Sequence, residues 1–346
     1  ERPRRHLQMC IRDSSRGVRG PEYAVEKPAA EYRIVVLGDS FAEGMSVDFE
    51  DLFSEVMKRR LNAERVEPIE VINLGVSGYS TDQQLLTYRS EGMLYQPDLT
   101  ILLVYDNDIW FNARDFYTSM GRGNKPHFEL IDGQLEMVNY PVPTGRPVKR
   151  PARSEPRSFL ALIKEQLSEH SQLYRWVRGR IQNTATIRNF LISIGLMNPI
   201  NAAAVPPMYS VYAKNPSAEV THAWRMSRAL IDEIRREAGA AGSEFLLVHA
   251  PPKIAVYEEY WRIFKENYGV EDSGWSPRRV NEQLAEIADD LAIDFYNPLP
   301  ALKNEEASQS FYFKVDTHWN SNGNRRVGEL LAEHIDATYL RESSKI

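Results

Sequence analysis

The sequence of 346 residues holds a single cysteine, Cys10. One thiol excludes an internal disulfide framework and the small stapled scaffolds that depend on one. Such usage suits a reducing compartment, and it equally suits exported proteins that dispense with disulfides. Long apolar runs are also missing. No stretch approaches the ~20 residues a helix needs to cross a bilayer, and no charged-then-apolar leader is visible. Positive charge is not in excess: 42 Lys+Arg stand against 48 Asp+Glu, for a formal net charge of −6. No basic stripe stands out, so nucleic acid is not an expected partner. Neither G-x-G-x-x-G nor G-K-[ST] occurs in "LGDSFAEG", which removes the phosphate cradles of dinucleotide and P-loop proteins. Zinc-ligand spacings are absent too, so no cofactor or metal is expected.

What is present is the profile of a globular protein, 42% hydrophobic and 26% charged. There is no initiator methionine, and "MCIRDS" (9–14) resembles translated adapter sequence. Residues 1–30 therefore read as an N-terminal segment, partly artefactual, and residues 1–14 carry no weight for the fold. With a foreign start the natural N-terminus would lie upstream, leaving export or a membrane anchor open. Residues 31–346 read as one domain with an insertion at about 109–218.

Within that domain, short apolar runs alternate with helical periodicity. "RIVVL" (33–37) reads as a strand buried on both faces. Phe49, Leu52, Phe53, Val56, Met57 and Leu61 then recur at helical spacing. "PIEVINLG" (68–75) is a second strand, and Thr81 or Asp82 is the expected cap of a helix carrying Leu85, Leu86, Arg89 and Met93. "DLTILLVY" (98–105) is a third strand. Strands separated by helices imply parallel pairing through right-handed crossovers. The rhythm breaks after Ile109: "HFELIDGQLEMVNYPV" reads as a hairpin turning at Asp132-Gly133, a Pro/Arg/Lys-rich loop follows, and 156–182 is amphipathic. From Ala218 it resumes, with Val220, Trp224, Ser227, Ile231 and Ile234 on one helical face. "EFLLVHAPP" (244–252), a helix with Val280, Leu284, Ile287 and Leu291, "AIDFYNP" (292–298) and a last helix with Val327, Leu330, Leu331, His334 and Ile335 complete it. The expected fold is an α/β/α sandwich around a five-stranded parallel, flavodoxin-like sheet, with a mixed hairpin and helix insertion.

In such sheets ligands bind at the carboxyl ends of the strands. The residues there are Gly38-Asp39-Ser40, "NLGVSGYST" (73–81), "YDNDI" (105–109), "HAPP" (249–252) and "KVDTHWN" (314–320). A serine hydroxyl needs a base within reach and an orienting partner for that base, and an acyl-transfer intermediate needs N–H donors facing its oxyanion. Ser40 sits at a strand-to-helix turn, Gly78 brings a backbone N–H without a Cβ in the way, and Asn107 offers a side-chain amide. Asp316 and His318 stand two apart before the last helix, where an extended backbone lets the aspartate hold one ring nitrogen.

With these residues in order, each after its own strand, the sequence resembles the SGNH or GDSL hydrolases over roughly 30–108 and 244–340. The resemblance implies that Ser40 is the nucleophile, His318 the base and Asp316 its orienting acid, with Ser40, Gly78 and Asn107 as oxyanion donors. Two features depart from the family pattern. "YDND" places Asp106 where the family's "GxND" has a variable residue after glycine, with expected negative charge near the oxyanion site. The last block is D-x-H, not D-x-x-H, a form similar to a bacterial branch that includes alginate O-acetyltransferase relatives.

Blander readings stand beside these. Ser40 can be the N-cap of the next helix. His318 can cap or pack the last helix, and His249 is the rival base or a wall of the crevice. Gly78 can be a turn glycine, with Gly75 competing as donor. Asp106 and Asp108 form a D-x-D that can hold a divalent ion, or Asp108 can simply fix the loop carrying Asn107. Trp110, Phe111, Tyr117 and Trp319 line a pocket or pack the insertion. Three functions follow: a serine esterase acting on small acyl esters, carbohydrate acetyl groups among them; an O-acyltransferase to a glycan with the same residues; and a non-catalytic binding protein on an esterase fold.

Overall fold

A computed structural model describes residues 14–63, 65–117, 122–142 and 205–340. The amphipathic stretch at 156–182 and most of the Pro/Arg/Lys-rich loop before it lie outside the described residues. The chain divides into two units, and the second, residues 144–204 with 267–269, is almost wholly outside them. Among the described residues no helix is long and apolar enough to cross a membrane.

The first unit is built on five parallel strands, β1 (Tyr32–Leu37), β2 (Ile69–Asn73), β3 (Leu99–Tyr105), β8 (Glu244–Ala250) and β9 (Asp294–Tyr296), in the order β2-β1-β3-β8-β9. This is the expected flavodoxin-like order. Ile34 through Leu37 and Ile101 through Val104 have no exposed surface, which is why these strands are continuous apolar runs. The charged residue of β1, Arg33, is buried because Glu31 Oε1 (2.6 Å) and the Tyr95 carbonyl (2.9 Å) accept from its guanidinium.

The chain steps from β1 through α1 (Ser40–Glu43) and α2 (Phe53–Asn62) to β2, then back through α3 (Thr81–Ser90) to β3. Right-handed crossovers in opposite directions place α2 and α3 on opposite faces. On the α2 face, Ile34, Val36, Ile101 and Leu103 pack with Phe53 and Met57, and with Val327 and Leu331 of the last helix. The helix N-terminus at α3 differs from the expected cap: Ser80 is the N-cap, and Thr81 and Asp82 are its first two residues. Asp82 is not a simple cap because a buried lysine claims its carboxylate. Met93 does not continue α3. It lies in a separate turn, Gly92–Tyr95, and is exposed.

After β3 come α4 (Asp106–Phe111), the short pair β4 (Phe116–Tyr117) and β5 (Arg122–Asn124), and the hairpin β6 (His127–Ile131) and β7 (Gln134–Val138). The hairpin turns at Asp132-Gly133 as expected, both residues having positive φ (51° and 81°), the geometry of a two-residue hairpin turn. The chain then runs through α5 (Ala218–Ala240), β8, α6 (Lys253–Val256), α7 (Glu258–Tyr268), α8 (Arg279–Leu291), β9, α9 (Leu299–Glu305) and α10 (Ser321–Ile335).

Candidate active site

β1 is the switch point: the chain leaves it on one side for β2 and returns on the other for β3. Its carboxyl end therefore opens a crevice between the loops after β2 and β3. Ser40 lies there as the first residue of α1. It is not the helix cap. Asp39 is, its Oδ1 accepting the Phe41 N–H at 2.9 Å. The serine hydroxyl is thereby left to face His318, whose Nε2 is 2.7 Å from Ser40 Oγ. Asp39 Oδ2 lies farther, at 3.3 Å. His318 Nδ1 is bonded to Asp316 Oδ1. A carboxylate only accepts, so Nδ1 carries the ring proton and Nε2 presents its lone pair to the serine. The Phe41 ring packs on the imidazole with centroids 4.9 Å apart.

The D-x-H spacing has a local cause. Asp316 Oδ1 also accepts the His318 backbone N–H, at 2.9 Å. An aspartate bonding the N–H two residues on is an Asx turn, which aims the same oxygen at the ring of the residue whose N–H it holds. The loop is closed at its base by a bridge between Tyr312 and Trp319 and by the Phe313 N–H donating to the His318 carbonyl at 3.1 Å. Lys253, buried at the start of α6, donates to the carbonyls of Phe313 (2.6 Å) and Lys314 (3.2 Å), and its ammonium sits 3.9 Å from the Tyr260 ring centroid.

Gly78 lies on the loop after β2 with φ of 80°, a conformation that suits glycine. Gly75 has a different task. A Cβ there would come within 2.5 Å of Ala42 Cβ and 2.6 Å of the Glu43 nitrogen, and its own N–H is spent on Asn73 Oδ1 at 3.0 Å. Glu43 Oε2 accepts the Ser77 N–H at 2.6 Å, tying the Gly78 loop to the helix that begins with Ser40. Asn107 is the second residue of α4, on the other flank of β1. The far end of α1 is closed by Arg19, which donates to the carbonyls of Glu43 (2.6 Å), Gly44 (2.6 Å) and Val47 (2.7 Å), so part of the 1–30 segment packs beside this loop.

Several alternatives resolve differently. His249 is almost fully buried, with Nε2 2.7 Å from Asp106 Oδ1 and Nδ1 3.1 Å from Asn281 Oδ1, so both ring nitrogens are occupied away from Ser40. The expected negative charge of Asp106 near the oxyanion site is thus turned inward onto His249. Asp108 accepts from Gln84 Nε2 at 3.2 Å, fixing α4 to α3. Trp110, Phe111 and Trp319 are buried and pack the core, with Trp319 edge-on to Phe41 at 4.9 Å. The Tyr117 side chain lies outside the described residues.

Residues 210–345 match the family model of the SGNH hydrolase-like domain of the acetyltransferase AlgX. That match spans the C-terminal part of the chain, from the end of the segment before α5 to the last helix. Asp316 and His318 fall inside the matched segment, and Ser40, Gly78 and Asn107 precede it. Among solved structures, the chain is similar to Axe2, an acetylxylan esterase from Geobacillus stearothermophilus, with 12% identity, TM-score 0.43, and 88% of this chain and 94% of that chain covered. It is similar also to a lipase/acylhydrolase from Enterococcus faecalis, with 12% identity, TM-score 0.43, and coverage of 88% and 96%. No curated protein matches the chain by sequence.

Burial sets the electrostatics of this site. The wholly buried Asp39 carboxyl is pushed up to about 6 by desolvation, against the opposing pull of the Phe41 N–H and of His318. For Asp316, partial burial works upward but is outweighed by the hydrogen bonds from His318, which hold it below the usual carboxylate range. Asp108 is raised well above that range, chiefly by burial and then by the Asp39 charge.

The Asp39 shift has a consequence for stability. Its folded value near 6 exceeds the ordinary 3.8, so between the two the folded state holds the extra proton. Stability then falls as pH rises from about 4 to about 6, by roughly 2–3 kcal/mol. Asp39→Asn keeps an acceptor for the Phe41 N–H and removes the titration. Urea unfolding should find it about as stable as wild type at pH 4, and more stable at pH 7.

Asp39 as cap, Glu43, Arg19 and Lys253 are the parts of this site that the sequence reading missed. Lys253 is the sole charge in "HAPPKIAV", directly after a buried strand, and that isolation is the signal that could have found it.

Proposed function

We propose that the protein is a serine-dependent O-acyl esterase acting on small acyl esters, with carbohydrate acetyl groups as the favoured class. The observation that carries this reading is the 2.7 Å contact between Ser40 Oγ and His318 Nε2, with Asp316 on the far ring nitrogen. Ser40 Oγ attacks the ester carbonyl as His318 Nε2 takes its proton. Asp316 holds the imidazole in the receptive tautomer and stabilises the imidazolium. The carbonyl oxygen becomes an oxyanion, for which the Ser40 and Gly78 N–H groups and the Asn107 amide are the donors. Collapse breaks the ester bond, and His318 returns the proton to the leaving alcohol. The acyl group now rests on Ser40. Water, deprotonated by His318, then releases the acid and restores the serine.

A second reading replaces that water with a sugar hydroxyl. The match to an acetyltransferase domain favours it, and the chemistry differs only in which hydroxyl His318 deprotonates. The two are separated by incubating the enzyme with p-nitrophenyl acetate, with and without a soluble polysaccharide. Hydrolysis gives acetate at the rate of p-nitrophenol release in both samples. Transfer gives less acetate than p-nitrophenol when polysaccharide is present, with the difference recovered as alkali-labile acetyl on the glycan. Absence of p-nitrophenol release in both samples would overturn both readings.

A further inference from the structure

Gly78, on the loop after β2, and Asn107, in α4, lie on opposite flanks of β1, and a shared oxyanion requires a fixed distance between them. Several side chains join the two segments behind the site, and the shortest of these bonds come from one of them. Lys125, between β5 and β6, is buried to 5% exposure, and Asp82 is fully buried. Its Nζ donates to Ser80 Oγ (2.6 Å), to Asp82 Oδ2 (2.6 Å) and Oδ1 (2.8 Å), and to the Phe111 carbonyl (2.9 Å). Ser80 is two residues after Gly78, and Phe111 is the last residue of the helix in which Asn107 is second. Ser80 Oγ in turn donates to Asp82 Oδ1 at 2.7 Å, so the three hydrogens of the ammonium and the serine hydroxyl together satisfy one closed set of acceptors.

Weaker bonds run parallel to this clamp. Asn112 Oδ1 accepts the Asp82 N–H at 3.3 Å, and Asn112 Nδ2 donates to Thr81 Oγ1 at 3.2 Å. Gln84 Nε2 donates to Asp108 Oδ2 at 3.2 Å and to the Tyr79 carbonyl at 3.3 Å. All but the Tyr79 bond tie the N-terminal turn of α3 to α4 or to Asn112, the residue that follows it. Lys125 comes from the segment inserted after β3 and is the cation among these groups, paired with the Asp82 carboxylate, while Ser227 of α5 adds a neutral bond by accepting from Asn112 Nδ2 at 2.9 Å. A buried ammonium is costly unless its partners are fixed, so its presence enforces one arrangement of both loops.

We propose that Lys125 is a positioning residue that sets the Gly78 loop and the Asn107 helix at the spacing the oxyanion requires. The proposal rests on the esterase reading above. It makes the inserted segment part of the acyl-transfer machinery, without any contact to substrate.

The test is a double-mutant cycle on p-nitrophenyl acetate turnover. Lys125→Met combined with Asp82→Asn removes the clamp without stranding a buried charge. This pair should lower kcat at least about 10-fold, as expected for misplaced groups, while KM changes less than about twofold. Asn107→Ala should lower kcat by about 100-fold in the wild-type background, the usual loss for one oxyanion donor. In the clamp-free background the same substitution should cost less than about 10-fold, because the donor is already out of place. A loss of fold stability alone predicts equal cost in both backgrounds. That additive result, or an unchanged kcat in the pair variant, overturns the proposal. If the pair variant does not fold, Ser80→Ala removes a single acceptor and enters the same cycle with the same criterion of additivity. Ser40→Ala, run alongside, separates the two levels. Wild-type turnover there would end the esterase reading and this proposal with it, whereas an inactive Ser40→Ala with additive cycles would end this proposal alone.

Discussion

Ser40→Ala is expected to lower p-nitrophenyl acetate turnover by about 10⁴-fold or more, since the nucleophile and base act as one unit. The folded protein should be little changed. The α1 cap belongs to Asp39 and survives the substitution, because the Phe41 N–H keeps its acceptor at 2.9 Å. His318→Ala should lose nearly as much, and the double variant should be no worse than the poorer single one, since each removes the same proton-transfer route. Labelling with a fluorophosphonate should add one phosphonyl group to the wild type and none to Ser40→Ala, read by mass spectrometry. Full turnover by Ser40→Ala would remove the esterase reading at once.

Asp106→Leu is expected to destabilise the fold strongly, although it touches no reacting atom. It leaves His249 Nε2 in the interior without its 2.7 Å partner. Stranding one member of a buried polar pair costs about 3 kcal/mol, which for a domain of this size lowers Tm by roughly 5–10 °C. The discriminating variant is Asp106→Leu with His249→Leu. Replacing both members by apolar residues removes the stranded group, so the double variant should be more stable than Asp106→Leu alone. Thermal melts of the three proteins settle the order, and a double variant less stable than either single one would contradict the account.

The strands were legible because β1, β3 and β8 are buried on both faces and leave nearly unbroken apolar runs. The residues following those runs were legible for the same reason, since parallel sheets collect function at their carboxyl ends. The identity of the α1 cap was ambiguous from the letters alone, because Asp39 and Ser40 are both good capping residues. Only the backbone, which makes Ser40 the first helical residue, decides between them. Asp106 was harder. Its charge was expected to face the crevice, and nothing in "YDND" indicates that the partner is His249, 143 positions away. Lys125 lay beyond reach for a related reason. It follows an irregular segment with no periodicity, and the carboxylate it meets, Asp82, reads in sequence as an ordinary cap.

The distance along the chain between the two halves of the site has a consequence during synthesis. Ser40 and His318 are separated by 278 positions. A growing chain carries its serine long before the imidazole has been made, and the loop that aims the imidazole stands just before α10, which packs beside α2. A half-made chain therefore carries an ordinary, unreactive alcohol. On the proposed esterase reading, the power to take an acyl group needs both ends of the chain in place, so reactivity toward a fluorophosphonate would report that the whole sheet has been assembled.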